Sequence, residues 1–197
     1  FESIDQDSLL AVIGAFIQQH PGCKCIVKCE RFEDVEIYFE MLEQHFEVLA
    51  VHEKFKNDPR DNAKVSVPAK LAESDYQVII HQRKLDEGVD IPQPKLLILT
   101  YSVNSGRELV QTIGRVVRKY LTVLPKVIEI NNDANQRMWD NYLHFDNTLN
   151  SKIGCDRFLA SLDTSSLIEH YLKVFPNASY YGRAFLKKFD LNNFNPD

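Results

Sequence analysis

Apolar positions Leu9, Val12, Ile13, Phe16 and Ile17 recur at the spacing of one helical face. Asp5 or Asp7 can cap this helix, and His20-Pro21-Gly22 closes it. A short strand is predicted over 23–28. Residues 31–45 carry Val35, Tyr38, Phe39 and Leu42 on one face, an amphipathic helix, and 46–51 reads as the next strand. A polar loop through Asp58-Pro59-Arg60-Asp61 leads to a predicted helix near 67–74 and a third strand over 76–81. Residues 95–100 form a continuous apolar run, the pattern of a strand buried on both faces. Residues 106–120 read as helix and 126–130 as a further strand.

Strands alternating with helices at these lengths imply right-handed crossovers and a mostly parallel sheet covered on both sides, so residues 1–131 are expected to form an α/β domain. After Asn131 the pattern becomes helical, over 132–149 and 165–175. A boundary is therefore set near Asn132, with 132–197 a helical extension packed on the sheet domain. Trp139, Tyr142 and Phe145, at helical spacing, are expected to be core.

The 197 residues suit one large domain or a domain with an extension, and 44% hydrophobic with 26% charged residues is an ordinary globular balance. No apolar run approaches the roughly 18 residues needed to span a bilayer. A start at Phe1, without a methionine or a signal-like segment, suggests a piece of a longer gene product. The net charge of −5 argues against coating nucleic acid through overall charge but leaves room for a local patch. Cys23, Cys25, Cys29 and Cys155 suggest reduced thiols in an intracellular protein. His20 and the first three cysteines invite a zinc reading, yet C-x-C-x₃-C fits no common zinc spacing and the cysteines alternate along a strand. Buried thiols are expected there and no metal.

In open parallel sheets, ligand groups sit in loops beyond the carboxyl ends of strands. Two such segments carry chemistry. One is Leu85-Asp86-Glu87-Gly88-Val89-Asp90-Ile91-Pro92, where Gly88 allows close backbone approach and Asp90 can accept hydrogen bonds. The other is Gln111-Thr112-Ile113-Gly114-Arg115-Val116-Val117-Arg118-Lys119. On a helix, Arg115 and Arg118 would project from one face with Gln111 a turn earlier. Two adjacent guanidiniums suit a polyphosphate between them, although a solvated pair on a basic helix end is the plain alternative.

An acidic Gly-Val-Asp-Ile-Pro loop, a buried strand, then Q-x-x-G-R-x-x-R resembles motifs V and VI of the superfamily 2 helicases. The resemblance places 25–28 and the following helix at motif IV and extends over about residues 20–131, the second RecA-like lobe. It implies a three-layer RecA-like α/β fold and a role as second motor lobe of an ATP-dependent helicase or translocase. Arg118 matches the arginine finger that reaches the γ-phosphate of ATP on the first lobe, with Arg115 beside it on the phosphate or on an intermediate water. Gln111 and Gly114 match motif VI positions near the nucleotide, and Gly88 and Asp90 match motif V positions near the ribose. DEAD-box RNA helicases usually carry His at the place of Gln111 and Gly at the place of Val117. The pattern is more similar to the restriction, repair and recombination branch, which implies DNA in preference to RNA.

No G-x-x-x-x-G-K-[ST] occurs, and the only Asp-Glu pair, Asp86-Glu87, lies in the motif V loop. ATP and magnesium are thus expected only when the chain is paired with a first lobe, and the chain alone is not expected to turn over ATP. A non-catalytic RecA-like docking module for nucleic acid or protein is the alternative. Tyr180-Tyr181-Gly182-Arg183 with Lys187-Lys188 interleaves aromatics and cations, so Tyr181, Arg183 and Lys187 are candidates for strand contact, against a bland reading as core and solvated face. Asn177-Ala178-Ser179 is read as a chance glycosylation match, and the scattered histidines suggest no hydrolytic triad.

Overall fold

The computed structural model describes residues 1–85 and 91–161. The chain divides into two compact units, Phe1–His144 and Phe145–Asp197.

The first unit is built on strands β1 (Glu2–Ile4), β2 (Lys24–Lys28), β3 (Val48–Val51), β4 (Ala63–Lys64), β5 (Val78–His81), β6 (Pro94–Leu99) and β7 (Lys126–Ile130). They form one seven-stranded sheet in the order β1-β7-β6-β2-β5-β3-β4, with every neighbouring pair parallel. This is the parallel α/β architecture that the alternation of elements predicts. Among the described residues the helices are α1 (Leu9–Gln19), α2 (Phe32–Leu42) and α3 (Gly106–Ile113) in the first unit, α4 (Ala134–Leu149), which begins there, and α5 (Lys152–Ser161) in the second unit.

The central strands β2, β3, β5 and β6 are buried along their whole length, as continuous apolar runs require. Alternate side chains feed opposite faces. On one face Cys25, Val27, Ile80 and Ile98 pack with Leu9, Ile13 and Phe16 of α1 and Val35, Phe39 and Leu42 of α2. On the other, Ile26, Leu97 and Leu99 meet Leu109 and Ile113 of α3, while Leu49, Val51 and Ile79 meet Leu71, Leu85 and Ile91. Cys23, Cys25 and Cys29 are buried, and desolvation raises the Cys29 thiol to about 12, so these groups are neutral.

Local chemistry accounts for the element ends. Asp5 Oδ1 accepts from the Ser8 N–H at 2.9 Å, capping the 3₁₀ turn that runs into α1. Gly22 takes φ +84° in the turn into β2, an angle that favours glycine. Lys24, at the first position of β2, is buried and donates through Nζ to the Ser74 and Tyr76 carbonyls at 2.7 and 2.6 Å.

Several elements differ from the sequence pattern. The helix expected near 67–74 is only a 3₁₀ turn, Leu71–Glu73, whose i→i−3 bonds from Leu71 to the Pro68 carbonyl and from Ser74 to the Leu71 carbonyl do not extend into a full helix. Strands β1 and β4 carry no apolar pattern, being edge strands of three and two residues. The helix expected over 106–120 stops at Ile113. The next residues make i→i−3 bonds, Arg115 N–H to the Thr112 carbonyl at 3.1 Å and Val116 N–H to the Ile113 carbonyl at 2.9 Å, which tighten and end it. Trp139 is half-buried against Phe1, with ring centroids 6.4 Å apart, but Tyr142 and Phe145 are 40% and 43% exposed and are not core.

Helix α4 is anchored by a buried acid. Glu129, on β7, is 0% exposed, and its two oxygens accept from the Asn135 and Gln136 N–H groups at 3.0 and 2.9 Å. A carboxylate at a helix N-terminus meets both the unpaired N–H groups and the positive end of the dipole. Asn135, also 0% exposed, accepts from the Val103 N–H at 2.9 Å and donates to the Tyr101 carbonyl at 2.8 Å.

Candidate functional site

The parallel register brings the last residues of the central strands to one edge. Lys28 pairs with His81 and with Leu99, and His81 with Val51, so the loops after β2, β3, β5 and β6 leave side by side.

Lys28 is 1% exposed and organises this edge. Its Nζ donates to Thr112 Oγ1 of α3 at 2.9 Å and lies 3.4 Å from Glu108 Oε1. Glu108 also accepts from the Tyr101 hydroxyl at 2.6 Å. Desolvation pushes the Glu108 carboxyl up, but the Tyr101 hydrogen bond and the Lys28 charge outweigh it and hold the group below its ordinary value. Ser105 caps α3, its Oγ accepting from the Glu108 N–H at 3.2 Å. The chemistry-bearing helix is thereby fixed to the end of β2.

His81 is fully buried at the end of β5, and its Nδ1 accepts from the Leu85 N–H at 3.4 Å. Burial pushes the imidazole down to about 3, and the charges of Lys28 and Arg115 act in the same direction. His81 is therefore neutral, and its ring holds the Leu85 backbone at the start of the loop after β5.

Gln111 is exposed on α3, and Gly114 ends the helix at φ −52°, an angle open to any residue. Arg115 lies half-buried in the terminal turn, and Arg118 lies half-buried beyond it. The two arginines thus do not share a helical face: they occupy the turn and the irregular segment that follows. Val116 between them is buried in the α3-side core, and the Val116 and Arg118 carbonyls both accept from Lys95 Nζ, the former at 3.2 Å. Gly88, Asp90, Tyr181, Arg183 and Lys187 lie outside the described residues, as does the helix expected over 165–175.

The family of helicase conserved C-terminal domains matches residues 7–120, more than half of the chain. This protein belongs to that family.

A curated relative of this helicase C-terminal domain is the DNA 3'-5' translocase XPB2 of Sulfurisphaera tokodaii, 25% identical over 117 residues. Those residues are 59% of this chain and 25% of the translocase, so the chain spans about a quarter of that relative. Among solved structures, the Pyrococcus furiosus Hef helicase domain aligns with a TM-score of 0.45 at 20% identity, over 68% of this chain and 27% of that one. The C-terminal domain of the DEAD-box protein Dbp5 aligns with a TM-score of 0.47 at 10% identity, over 82% and 94%.

Buried polar residues that the sequence pattern does not single out include Lys28, His81 and Lys95. Each sits inside an apolar strand and reads as an ordinary strand position. A second polar link joins other post-strand loops: His52, 3% exposed, has Nε2 2.8 Å from Gln82 Oε1, and Gln82 Nε2 donates to the Glu30 carbonyl at 2.6 Å. His52 Nδ1 accepts from the Lys54 N–H, so Nε2 carries the proton to Gln82. Among the described residues no His, Cys, Asp or Glu group is arranged to hold a metal, and no helix is long and apolar enough to cross a membrane.

Proposed function

We propose that this chain is the second motor lobe of an ATP-dependent superfamily 2 helicase or translocase acting on nucleic acid, DNA in preference to RNA. The observation that carries the reading is the Gln111–Arg118 segment: an exposed glutamine on α3, Arg115 in the turn that follows and Arg118 just beyond it, on a backbone tied to the sheet by Lys28 and Lys95. A polyphosphate matches paired guanidiniums, and a guanidinium brought to the transferring phosphoryl group is worth about 10³–10⁵ in rate in related systems. Arg118 is the finger, Arg115 its neighbour on the phosphates or their water, and Gln111 and Gly114 border the nucleotide.

The residues present fit the anionic end of ATP but not its whole site, since the chain carries no phosphate loop. ATP and magnesium are then held by an N-terminal RecA-like lobe of the same protein, and closure of the lobes delivers the arginines. Gly88 and Asp90 face the ribose and couple it to nucleic acid, and Tyr181, Arg183 and Lys187 contact the strand. The likeness to a DNA translocase supports DNA over RNA.

The test is DNA-stimulated ATP hydrolysis by the protein with its first lobe present, wild type beside Arg115→Ala and Arg118→Ala, with RNA as competing stimulator. DNA stimulation that disappears in Arg118→Ala while DNA affinity persists is the expected result. Activity retained in that variant removes the finger assignment, and no hydrolysis with either polymer removes the motor reading.

A further inference from the structure

Lys95 occupies an unusual place. In the pairing of β2 with β6, Lys24 faces Pro94 and Cys25 faces Leu96, so Lys95 is the extra residue of a β-bulge. A bulge re-aims the side chain it carries. Lys95 is 1% exposed, and lysine is among the residues least often buried unless its ammonium is satisfied. Both of its hydrogen bonds go to one short segment, the carbonyls of Val116 and Arg118. The charge also reaches the buried Cys23, whose thiol is raised by desolvation and lowered in part by Lys95.

The two carbonyls flank Val117, whose side chain is 53% exposed. The α-helix ends at Ile113, and the last helical bond along this segment is the one from the Val117 N–H to the Ile113 carbonyl at 3.3 Å. Beyond it the segment is tied down by the Val116 side chain in the core and by the Lys95 ammonium, which takes the carbonyls on either side of Val117. Fixing the carbonyl of Arg118 itself fixes the frame from which its guanidinium departs.

We infer that Lys95 is a positioning residue for Arg118: a buried ammonium, placed by the bulge, that holds the arginine's backbone in the geometry needed to meet a phosphoryl group. The inference rests on the proposed motor function. Misplacement of a catalytic group by about 1 Å costs about 10²-fold, so loss of this anchor registers in kcat rather than in nucleotide affinity.

The experiment compares Lys95→Met, Arg118→Ala and the double variant in the protein with its first lobe present, alongside hydrogen exchange on this chain alone. Lys95→Met is expected to lower kcat about 10²-fold with KM for ATP changed less than about twofold. In the Arg118→Ala background it is expected to cost less than about threefold more, because the two residues act as a unit. A full further loss in that background, or an unchanged kcat in the single variant, overturns the inference. In the exchange arm, the Arg115, Val116 and Val117 amides are expected to exchange about tenfold faster or more in Lys95→Met while β2 amides stay protected; unchanged exchange overturns it too. Should Lys95→Met fail to fold, Lys95→Gln, which shortens the reach and removes the charge, is read in both arms. A wild type without ATPase activity sinks the motor reading, whereas the exchange arm still decides whether Lys95 fixes the segment.

Discussion

Lys28 donates to Thr112 at 2.9 Å across a sequence gap of 84 residues, joining the end of β2 to the last turn of α3. The ammonium holds the helix that leads directly into the turn of Arg115, so the arginine segment is referenced to the central strand of the sheet.

Replacing Lys28 with Met keeps the length of the side chain but leaves Thr112 and Glu108 without their buried donor. The expected cost is about 1–3 kcal/mol, larger than that of an exposed ion pair because Lys28 itself is 1% exposed. Urea unfolding of this chain measures it, and a midpoint equal to the wild type would show that the contact stabilises nothing.

His81 makes stability depend on pH. Unfolded, the imidazole takes a proton near 6.5; folded, it takes one only near 3. Between these values the unfolded state binds more protons, so stability falls as pH drops through 6.5 toward 3, by about 1 kcal/mol per pH unit well below 6.5. His81→Asn retains an acceptor for the Leu85 N–H and removes the titration. Urea midpoints followed from about pH 7.5 to about pH 5 are expected to fall less steeply in the variant, and parallel slopes would exclude His81 as the source.

The elements legible in the sequence are those whose burial is recorded in their own residues. The run at 95–100 is a strand because a two-faced core explains its consecutive apolar side chains, the short stretch 23–28 between two helical patterns gives another, and the Leu9–Phe16 spacing marks α1. Where the deciding partner is distant, the pattern misleads. Val116 and Val117 continue the apolar spacing of α3, but the helix tightens and ends after Ile113, and the Val116 and Arg118 carbonyls beyond it go to a lysine about twenty positions upstream. Tyr142 and Phe145 keep helical spacing yet stay exposed. Glu2-Ser3-Ile4 gives no strand signal, since an edge strand needs only a neighbour to bond. Arg115 and Arg118 can be picked out from their order after the Gly-Val-Asp segment; the buried lysines and His81 that hold their surroundings cannot, because a charge inside an apolar strand declares its role only when its partner is known.

Glu129 is a sharper case of a hidden partner. Glu129→Gln leaves one acceptor oxygen for the two N–H groups at the start of α4 and turns an amide donor toward one of them. The expected destabilisation is about 2–3 kcal/mol, with amides at the start of α4 exchanging faster than those of α1. Thermal unfolding with residue-resolved exchange checks both, and an unshifted melting transition would mean the carboxylate is replaceable.

Strands β1 and β7 are neighbours at one border of the sheet although they lie at opposite ends of the sheet's sequence, and the family match over 7–120 leaves out both. A fragment trimmed to the matched span would bare the flank of β6, six consecutive buried residues with a row of open N–H and C=O groups. Such a fragment would be adhesive, pairing with other copies of itself. The smallest soluble piece of this lobe therefore has to begin before Glu2 and run beyond Ile130, and a recombinant boundary drawn from sequence similarity alone would be judged insoluble for a reason that has nothing to do with its function.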